Sequence, residues 1–304
     1  MSVIKNVAIT GAAGALGKPI FEALVQSNKF NITVLTRSTS TSTHTYPSSV
    51  TVLPVDFDSI PSLTAALQSQ KIDAIVSSVG SEGLLGQKVL IDAAAAAGVT
   101  RFIPSEFGSD LSDPQTKALP VFGYKVAIVS HLEDVAAKNP SFTYTFIRNG
   151  AFLDWGLEYN FILDVTSGKP SIYNGGDKIF STTTLETVAQ AVVAVFSKFE
   201  ETKNRAVYIQ DVQTSQNRLL SIAKKVAPEK KWEPVPVNTA DLFESANEKL
   251  AKGEMTREVV VGYLLTAVFG EGYPSRWEKA DNELLGLKEK TDAELEAIVK
   301  KYVK

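Results

Sequence analysis

No cysteine occurs among the 304 residues. Disulfides, thiolate nucleophiles and cysteine-bound metals are therefore excluded. Histidine is nearly as scarce. His44 and His131 are the only two, too few for a histidine-rich zinc site, and any Ser-His-Asp triad would have to use one of them. An excess of positive charge is also missing, with 31 Lys and Arg against 34 Asp and Glu and no basic stripe. Nucleic acid is not an expected partner. Long hydrophobic runs are lacking too. The longest, Val259 to Phe269, is interrupted by Gly262, Tyr263 and Thr266 and is too short to span a bilayer. Met1 to Asn6 has no signal-peptide apolar core. These absences predict a soluble cytoplasmic protein that uses no membrane.

What is present is a globular composition, 44% hydrophobic and 21% charged, which excludes disorder and collagen-like structure. The first half alternates short β-branched runs with helical patterns. Strands are predicted at Val7–Thr10, Ile32–Thr36, Val50–Val55, Ala74–Ser78, Arg101–Pro104 and Tyr144–Arg148. Helices are predicted at Gly17–Gln26, Ile60–Ser69, Leu84–Ala97 and Val121–Lys138. Such alternation predicts right-handed βαβ units on a parallel sheet, covered on both faces. The fold class expected is therefore α/β, a doubly wound parallel sheet of the Rossmann type with a smaller C-terminal α/β domain that binds substrate.

Beyond Gly150 the rhythm changes. Asn174-Gly-Gly-Asp177 is a turn cluster, and helices are predicted at Val188–Phe196, Asn217–Val226, Thr239–Lys252 and Thr256–Phe269. The charged tail from Asp281 reads as one solvated surface helix. The expected organisation is a dinucleotide-binding domain over residues 1–150, rejoined by segments from about 175–212, and a substrate-binding region over 151–304.

The most informative segment is Gly11-Ala-Ala-Gly14-Ala-Leu-Gly17, placed between the first strand and the first helix. A pyrophosphate needs backbone N–H groups and a positive helix end with no Cβ in the way. Gly11, Ala13, Gly14, Ala15, Leu16 and Gly17 are thus candidate cofactor contacts, and the spacing G-x-x-G-x-x-G resembles that of short-chain and extended reductases. NAD binders place an acid at the end of the second strand to hold the ribose 2′-hydroxyl. This chain has Leu35-Thr36-Arg37-Ser38 there. Arg37 can instead pair with a 2′-phosphate through its planar fork, which predicts NADP(H). Asp56 and Phe57 close the third strand, where the adenine is expected. Ser78, Val79 and Gly80 close the fourth, where the backbone can approach the cofactor.

A tyrosine-based short-chain mechanism needs Tyr-x-x-x-Lys. Four residues before Lys125 stands Val121, and Tyr124 faces another side of the helix. That mechanism is absent. What remains is Pro104-Ser-Glu-Phe-Gly108, followed by Phe122-Gly-Tyr-Lys125. Together with Thr10–Gly17, Arg37, Ser77-Ser-Val-Gly80 and Arg148-Asn-Gly-Ala-Phe152, this resembles the isoflavone reductase-like branch of the NmrA-like family. That branch includes phenylcoumaran benzylic ether reductases and belongs to the atypical short-chain dehydrogenases/reductases.

The resemblance implies that Lys125 is the catalytic acid or base and that NADPH reduces a small aromatic or conjugated substrate, such as a phenol, quinone or enone. It also places Phe107 beside the nicotinamide and the substrate pocket after Arg148. Phe152, Trp155 and Tyr159 are its candidate lining. The same family allows a non-catalytic regulator that senses NADP(H). Two features depart from the family reductases. The loop Ser38–Pro47 contains no lysine, and Val129 stands where a basic residue often follows the catalytic lysine by one turn. His131 is expected to be structural, and Glu106 a turn carboxylate.

Overall fold

A computed structural model describes residues 4–39 and 44–303. Of the polar loop after the second strand, residues 40–43 lie outside this set. The N-terminal half contains β1 (Asn6–Thr10), α1 (Gly17–Gln26), β2 (Asn31–Arg37), β3 (Thr51–Val55), α2 (Ile60–Ser69), β4 (Ala74–Ser77), α3 (Gln87–Ala97), β5 (Arg101–Ile103), α4 (Pro114–Ala118), α5 (Gly123–Lys138) and β6 (Thr143–Arg148). There follow β7 (Ala151–Phe152), α6 (Leu153–Glu158), β8 (Ser171–Tyr173), β9 (Phe180–Thr183), α7 (Leu185–Ser197), β10 (Arg205–Tyr208), β11 (Val212–Thr214) and α8 (Gln216–Val226). The chain ends with β12 (Val235–Val237), α9 (Thr239–Ala251), α10 (Arg257–Phe269), α11 (Asn282–Leu285) and α12 (Asp292–Tyr302).

Two compact units result. The first takes the chain up to Phe107, Tyr124–Ile147 and Val188–Val207. Its sheet runs β10-β6-β5-β4-β1-β2-β3. Strands β1 to β6 pair in parallel, and Asn204 and Ile209 donate to the carbonyls of Tyr144 and Arg148, so β10 continues in the same sense. The order reverses between β1 and β4, the position where open α/β sheets bind ligands at the strands' carboxyl ends. Strand alternation sends Ala8, Leu35, Ile75 and Phe102 to one face, where Leu63 and Leu67 of α2, Leu90 and Ile91 of α3, and Ile128 and Leu132 of α5 cover them. On α5, Ile128 and Leu132 form the buried stripe. Ser59 caps α2 by accepting the Ser62 N–H, and Gly98, at φ +85°, ends α3 in the left-handed region.

The second unit contains Gly108–Gly123, Arg148–Thr187 and the chain from Tyr208 onward. It is comparable to the first in extent rather than smaller, because it draws Gly108–Gly123 from the N-terminal half. Strands β11, β9 and β7 form one small sheet, and β12 pairs in parallel with β8. The tail is not one solvated helix. Gly286, at φ +68°, breaks it after α11. Helix α12 restarts on a capping box made by Thr291 and Glu294, and it buries Leu295 and Val299 in a core with Leu219, Leu220 and Phe269. Charge on its outer face masks that apolar stripe in the sequence.

Candidate functional site

The glycine loop leaves β1 with Gly11 at φ +78°. A Cβ there would lie 2.5 Å from the Ser78 carbonyl oxygen, and a Cβ on Gly17 would lie 1.9 Å from the Gly11 carbonyl oxygen. These two glycines are demanded by the chain's own packing. Gly14 differs. Its Cβ would meet Gly11 O at 3.3 Å, and its φ is not positive. Ala13, Gly14 and Ala15 are exposed, while Leu16 is half-buried. Helix α1 opens on Leu16 with no side-chain cap and no acidic residue in its first turn. Its positive pole can thus receive an anion.

The neighbouring strand ends complete this edge. Ser78 Oγ donates to Thr10 O at 2.8 Å, tying β4 to β1 beneath the loop. Val79 is half-buried, and Gly80 is exposed with open space where a Cβ would stand. Arg37 is the exposed last residue of β2 and forms no ion pair among the described residues. Asp56 is exposed, and its Oδ1 accepts the Asp58 N–H at 3.0 Å. Phe57 is half-buried and packs partly on the core, so only part of its ring is free for a ligand.

Lys125 stands in the first turn of α5. Its Nζ donates to Phe107 O at 2.7 Å and to Glu106 O at 3.1 Å. The side chain is half-buried, and burial pushes its pKa down to about 8. Phe107 is only 5% exposed. Its carbonyl is one of the two that hold the lysine amine. Glu106 lies in a turn, its N–H donating to Pro104 O at 2.8 Å. His131 pairs with Asp92 of α3 at 2.7 Å, a link between two helices.

Two residues that support this turn were not singled out by sequence reasoning. Gln87 is 2% exposed, accepts the Ser105 N–H on Oε1 at 2.8 Å and donates from Nε2 to Leu84 O at 3.2 Å. Ser105 Oγ donates to Val79 O at 2.8 Å. The available signal was a glutamine in register with Leu90, Ile91 and Ala94 on the apolar face of α3.

In the second unit, Phe152, Trp155 and Tyr159 are brought together around α6. Ring centroids are 6.5 Å apart for Phe152 and Trp155 and 5.0 Å for Trp155 and Tyr159. Phe161, missed in the sequence, adds a fourth ring 6.2 Å from Trp155. Tyr159 is 56% exposed, so the cluster presents an aromatic surface. Asp154 beside it accepts the Leu185 N–H, and burial raises its carboxyl pKa. Near Arg148, Asp110 accepts from Tyr208 Oη at 3.0 Å and lies 3.7 Å from the Arg148 guanidinium. Lys178 repeats the Lys125 pattern, with its amine on Gly270 O and Tyr273 O and its pKa pushed by burial to about 8. Two carbonyls on a lysine can therefore be purely structural. Lys125 differs in standing beside the turn that follows β5, at the carboxyl edge of the parallel sheet.

No group of three or more His, Asp or Glu suited to a metal occurs among the described residues, and no helix among them is long and apolar enough to cross a membrane.

Comparison with known proteins agrees with this architecture. The NmrA-like family model matches residues 4–260. Oxidoreductase poxI of Penicillium oxalicum is 34% identical over 307 residues, covering 95% of this chain and 91% of its own length. Oxidoreductase aprR of Aspergillus flavus is 34% identical over 285 residues, covering 93% and 94%. Among solved structures, AtPrR2 with NADP+ and (+)pinoresinol has a TM-score of 0.81 at 21% identity, with 100% of both chains covered. Leucoanthocyanidin reductase with NADPH from Vitis vinifera has a TM-score of 0.77 at 20% identity, covering 98% of this chain and 99% of that one. At such identities the structural likeness shows the fold.

Proposed function

From the premise that the chain belongs to the NmrA-like family, we propose that it is an NADP(H)-dependent reductase of small aromatic or conjugated molecules. The observation that carries this reading is the Lys125 amine, held on Glu106 O and Phe107 O in the same unit as the glycine loop. Relatives named as oxidoreductases over more than nine-tenths of this chain support it.

The residues fit the cofactor. Exposed Ala13, Gly14 and Ala15 and the uncapped start of α1 suit a pyrophosphate. Arg37 suits a 2′-phosphate, and no acid stands at the end of β2 to select a free 2′-hydroxyl. Ser78, Val79 and Gly80 offer backbone at the β4 end, while Asp56 and Phe57 flank the adenine side. When bound, NADP(H) supplies the hydride. The chain must then manage the accompanying proton.

Lys125 is suited to that task. With a pKa near 8, about one lysine in ten is neutral at pH 7, against fewer than about one in a thousand at the ordinary value of about 10.4. The neutral amine can take a proton from an acidic substrate hydroxyl. The ammonium can give one to an oxygen that gains charge as hydride arrives. We assign Phe152, Trp155 and Tyr159 to binding the substrate's planar rings, because stacked aromatics favour flat apolar partners.

The test is a screen of NADPH oxidation against phenols, quinones and enones, with wild type and Lys125→Met in parallel. Methionine keeps the stem and removes the amine. Turnover should fall by roughly two to four orders of magnitude, the scale of general acid–base catalysis, while cofactor binding persists. Full activity in a folded Lys125→Met protein defeats the lysine mechanism. Tight NADPH binding without oxidation of any substrate favours a cofactor-sensing regulator instead.

A further inference from the structure

The hydrogen bonds around Lys125 assign a job to two residues outside the cofactor and proton-transfer sets. Two of the amine's positions are committed to Glu106 O and Phe107 O. No third partner is bound among the described residues. Tetrahedral nitrogen then leaves one direction open. In the ammonium that direction holds the only N–H free to donate. In the neutral amine, whose two hydrogens stay on the carbonyls, it holds the lone pair. The same direction thus serves both protonation states, and it is fixed by where the two carbonyls point.

Those carbonyls belong to a short turn without regular secondary structure, so their direction needs an anchor. Gln87 supplies it by accepting the Ser105 N–H, and Ser105 supplies a second tie through its hydroxyl to Val79 O. Gln87 is itself held by Leu84 O and is almost wholly buried. We propose that Gln87 and Ser105 are positioning residues, which lock the Pro104–Phe107 turn so that its carbonyls aim the free position of the Lys125 amine. This inference rests on the reductase reading for its purpose but not for its geometry. A buried glutamine is suited to the role because one side chain can accept from the strand-end N–H and donate to a carbonyl just ahead of its own helix. Leaving that N–H without a partner disfavours the present position of a turn that has no ladder bonds of its own.

The consequence is measurable on the protein without cofactor. Glu106, whose carbonyl holds the amine, is the titratable residue of the turn, and the lysine's shift has burial as its cause. A loosened turn admits water to the amine and returns Lys125 toward its ordinary pKa. The experiment is acylation of the protein with an amine-directed reagent across pH 6–11, with Lys125 modification quantified by mass spectrometry. Wild type should give a midpoint near 8. Gln87→Leu and Ser105→Ala should move it upward by about one unit or more, and Ser105→Thr, which keeps the hydroxyl, should restore it. On the best substrate of the screen, the two disabling variants should lose about tenfold or more in kcat, and the pH–rate midpoint should move with the acylation midpoint.

Ser105→Ala removes one hydroxyl only, so it remains informative if Gln87→Leu does not fold. An unchanged Lys125 midpoint in folded Ser105→Ala and Gln87→Leu overturns the proposal, whatever the enzyme's activity. A shifted midpoint in a protein that reduces nothing leaves the positioning intact and overturns the reductase reading. The two failures are therefore separable.

Discussion

The amine of Lys125 and the carbonyl oxygen of Phe107 stand 2.7 Å apart. This short bond joins the first turn of α5 to the turn after β5, and it keeps a cation in partly dry surroundings. The bond favours the charged form and burial opposes it, with burial prevailing because the pKa falls to about 8.

The conflict predicts a pH-dependent stability. In the unfolded chain Lys125 titrates near about 10.4. Below pH 8 both states carry the proton, and the folded state bears the full cost of burying it. Between about 8 and 10.4 the folded protein sheds the proton while the unfolded chain keeps it, so stability rises with pH across that window. The contribution is fully present above the unfolded pKa and is lost as pH falls through 8. Wild type should therefore gain on Lys125→Met between pH 7 and pH 10.5, by at most about 3 kcal/mol and by less once solvent screening of the half-buried stem is counted. Paired denaturant titrations at the two pH values measure this. A constant difference between the proteins contradicts the burial argument.

Arg37 carries the prediction of cofactor preference. It is exposed at the end of β2, and the loop after it contains no lysine to share a 2′-phosphate. Arg37→Ala should reduce the preference for NADPH over NADH by about tenfold, which equals about 1.4 kcal/mol. Melting temperature should hold, because the Arg37 side chain is exposed and forms no ion pair among the described residues. Calorimetric titration of both cofactors reads the effect, and an unchanged ratio removes Arg37 from the site.

The parallel sheet was legible because its strands are near-continuously apolar and its helices keep a 3.6-residue rhythm. Helix α1 matches its predicted span, and the six N-terminal strands appear within one or two residues. The second unit was less legible. Its strands β7, β8, β11 and β12 have two or three residues each, too few for alternation to register. The tail misled for another reason: Leu295 and Val299 lie four apart, an apolar stripe too narrow to outweigh the charges around it. In the candidate site, glycines and Lys125 stood out by residue type. Gln87 did not, because a lone glutamine in a helix looks like a solvated residue until its burial is known.

Arg101 is a structural residue close to the functional motif: it opens β5, which leads into Pro104–Gly108, and it is 0% exposed. Its guanidinium donates to the hydroxyls of Thr143, Thr145 and Thr202 and to Phe199 O, and it stacks 4.2 Å from the Phe199 ring centroid. It thus fastens β5 and β6 to the segment after α7, at the amino end of the strands and away from the ligand edge. Arg101→Leu should cost about 3 kcal/mol or more of stability, since four acceptors lose a charged donor. Turnover of the folded fraction should hold. A variant that melts like wild type contradicts the assignment.

The three loop glycines divide by what a side chain would strike. Gly17→Ala puts a carbon 1.9 Å from Gly11 O, a backbone atom that cannot swing aside. Gly11→Ala adds a left-handed φ of +78° to a 2.5 Å clash with Ser78 O. Both variants should lose stability first, by about 2 kcal/mol or more, and cofactor affinity as a consequence. Gly14→Ala meets only a 3.3 Å contact at an ordinary φ, so the fold should accept it within about 1 kcal/mol. On the proposed reading, the bare backbone at Gly14 then has its reason outside the chain, in the close approach of a pyrophosphate to the start of α1. Gly14→Val, with two further carbons in that space, should weaken NADPH binding by about a hundredfold or more with little change in melting of the apoprotein. Titration and melting on the same preparations separate the two classes. If Gly14→Val loses stability and affinity in the proportion seen for Gly17→Ala, the loop is a packing device and the pyrophosphate lies elsewhere.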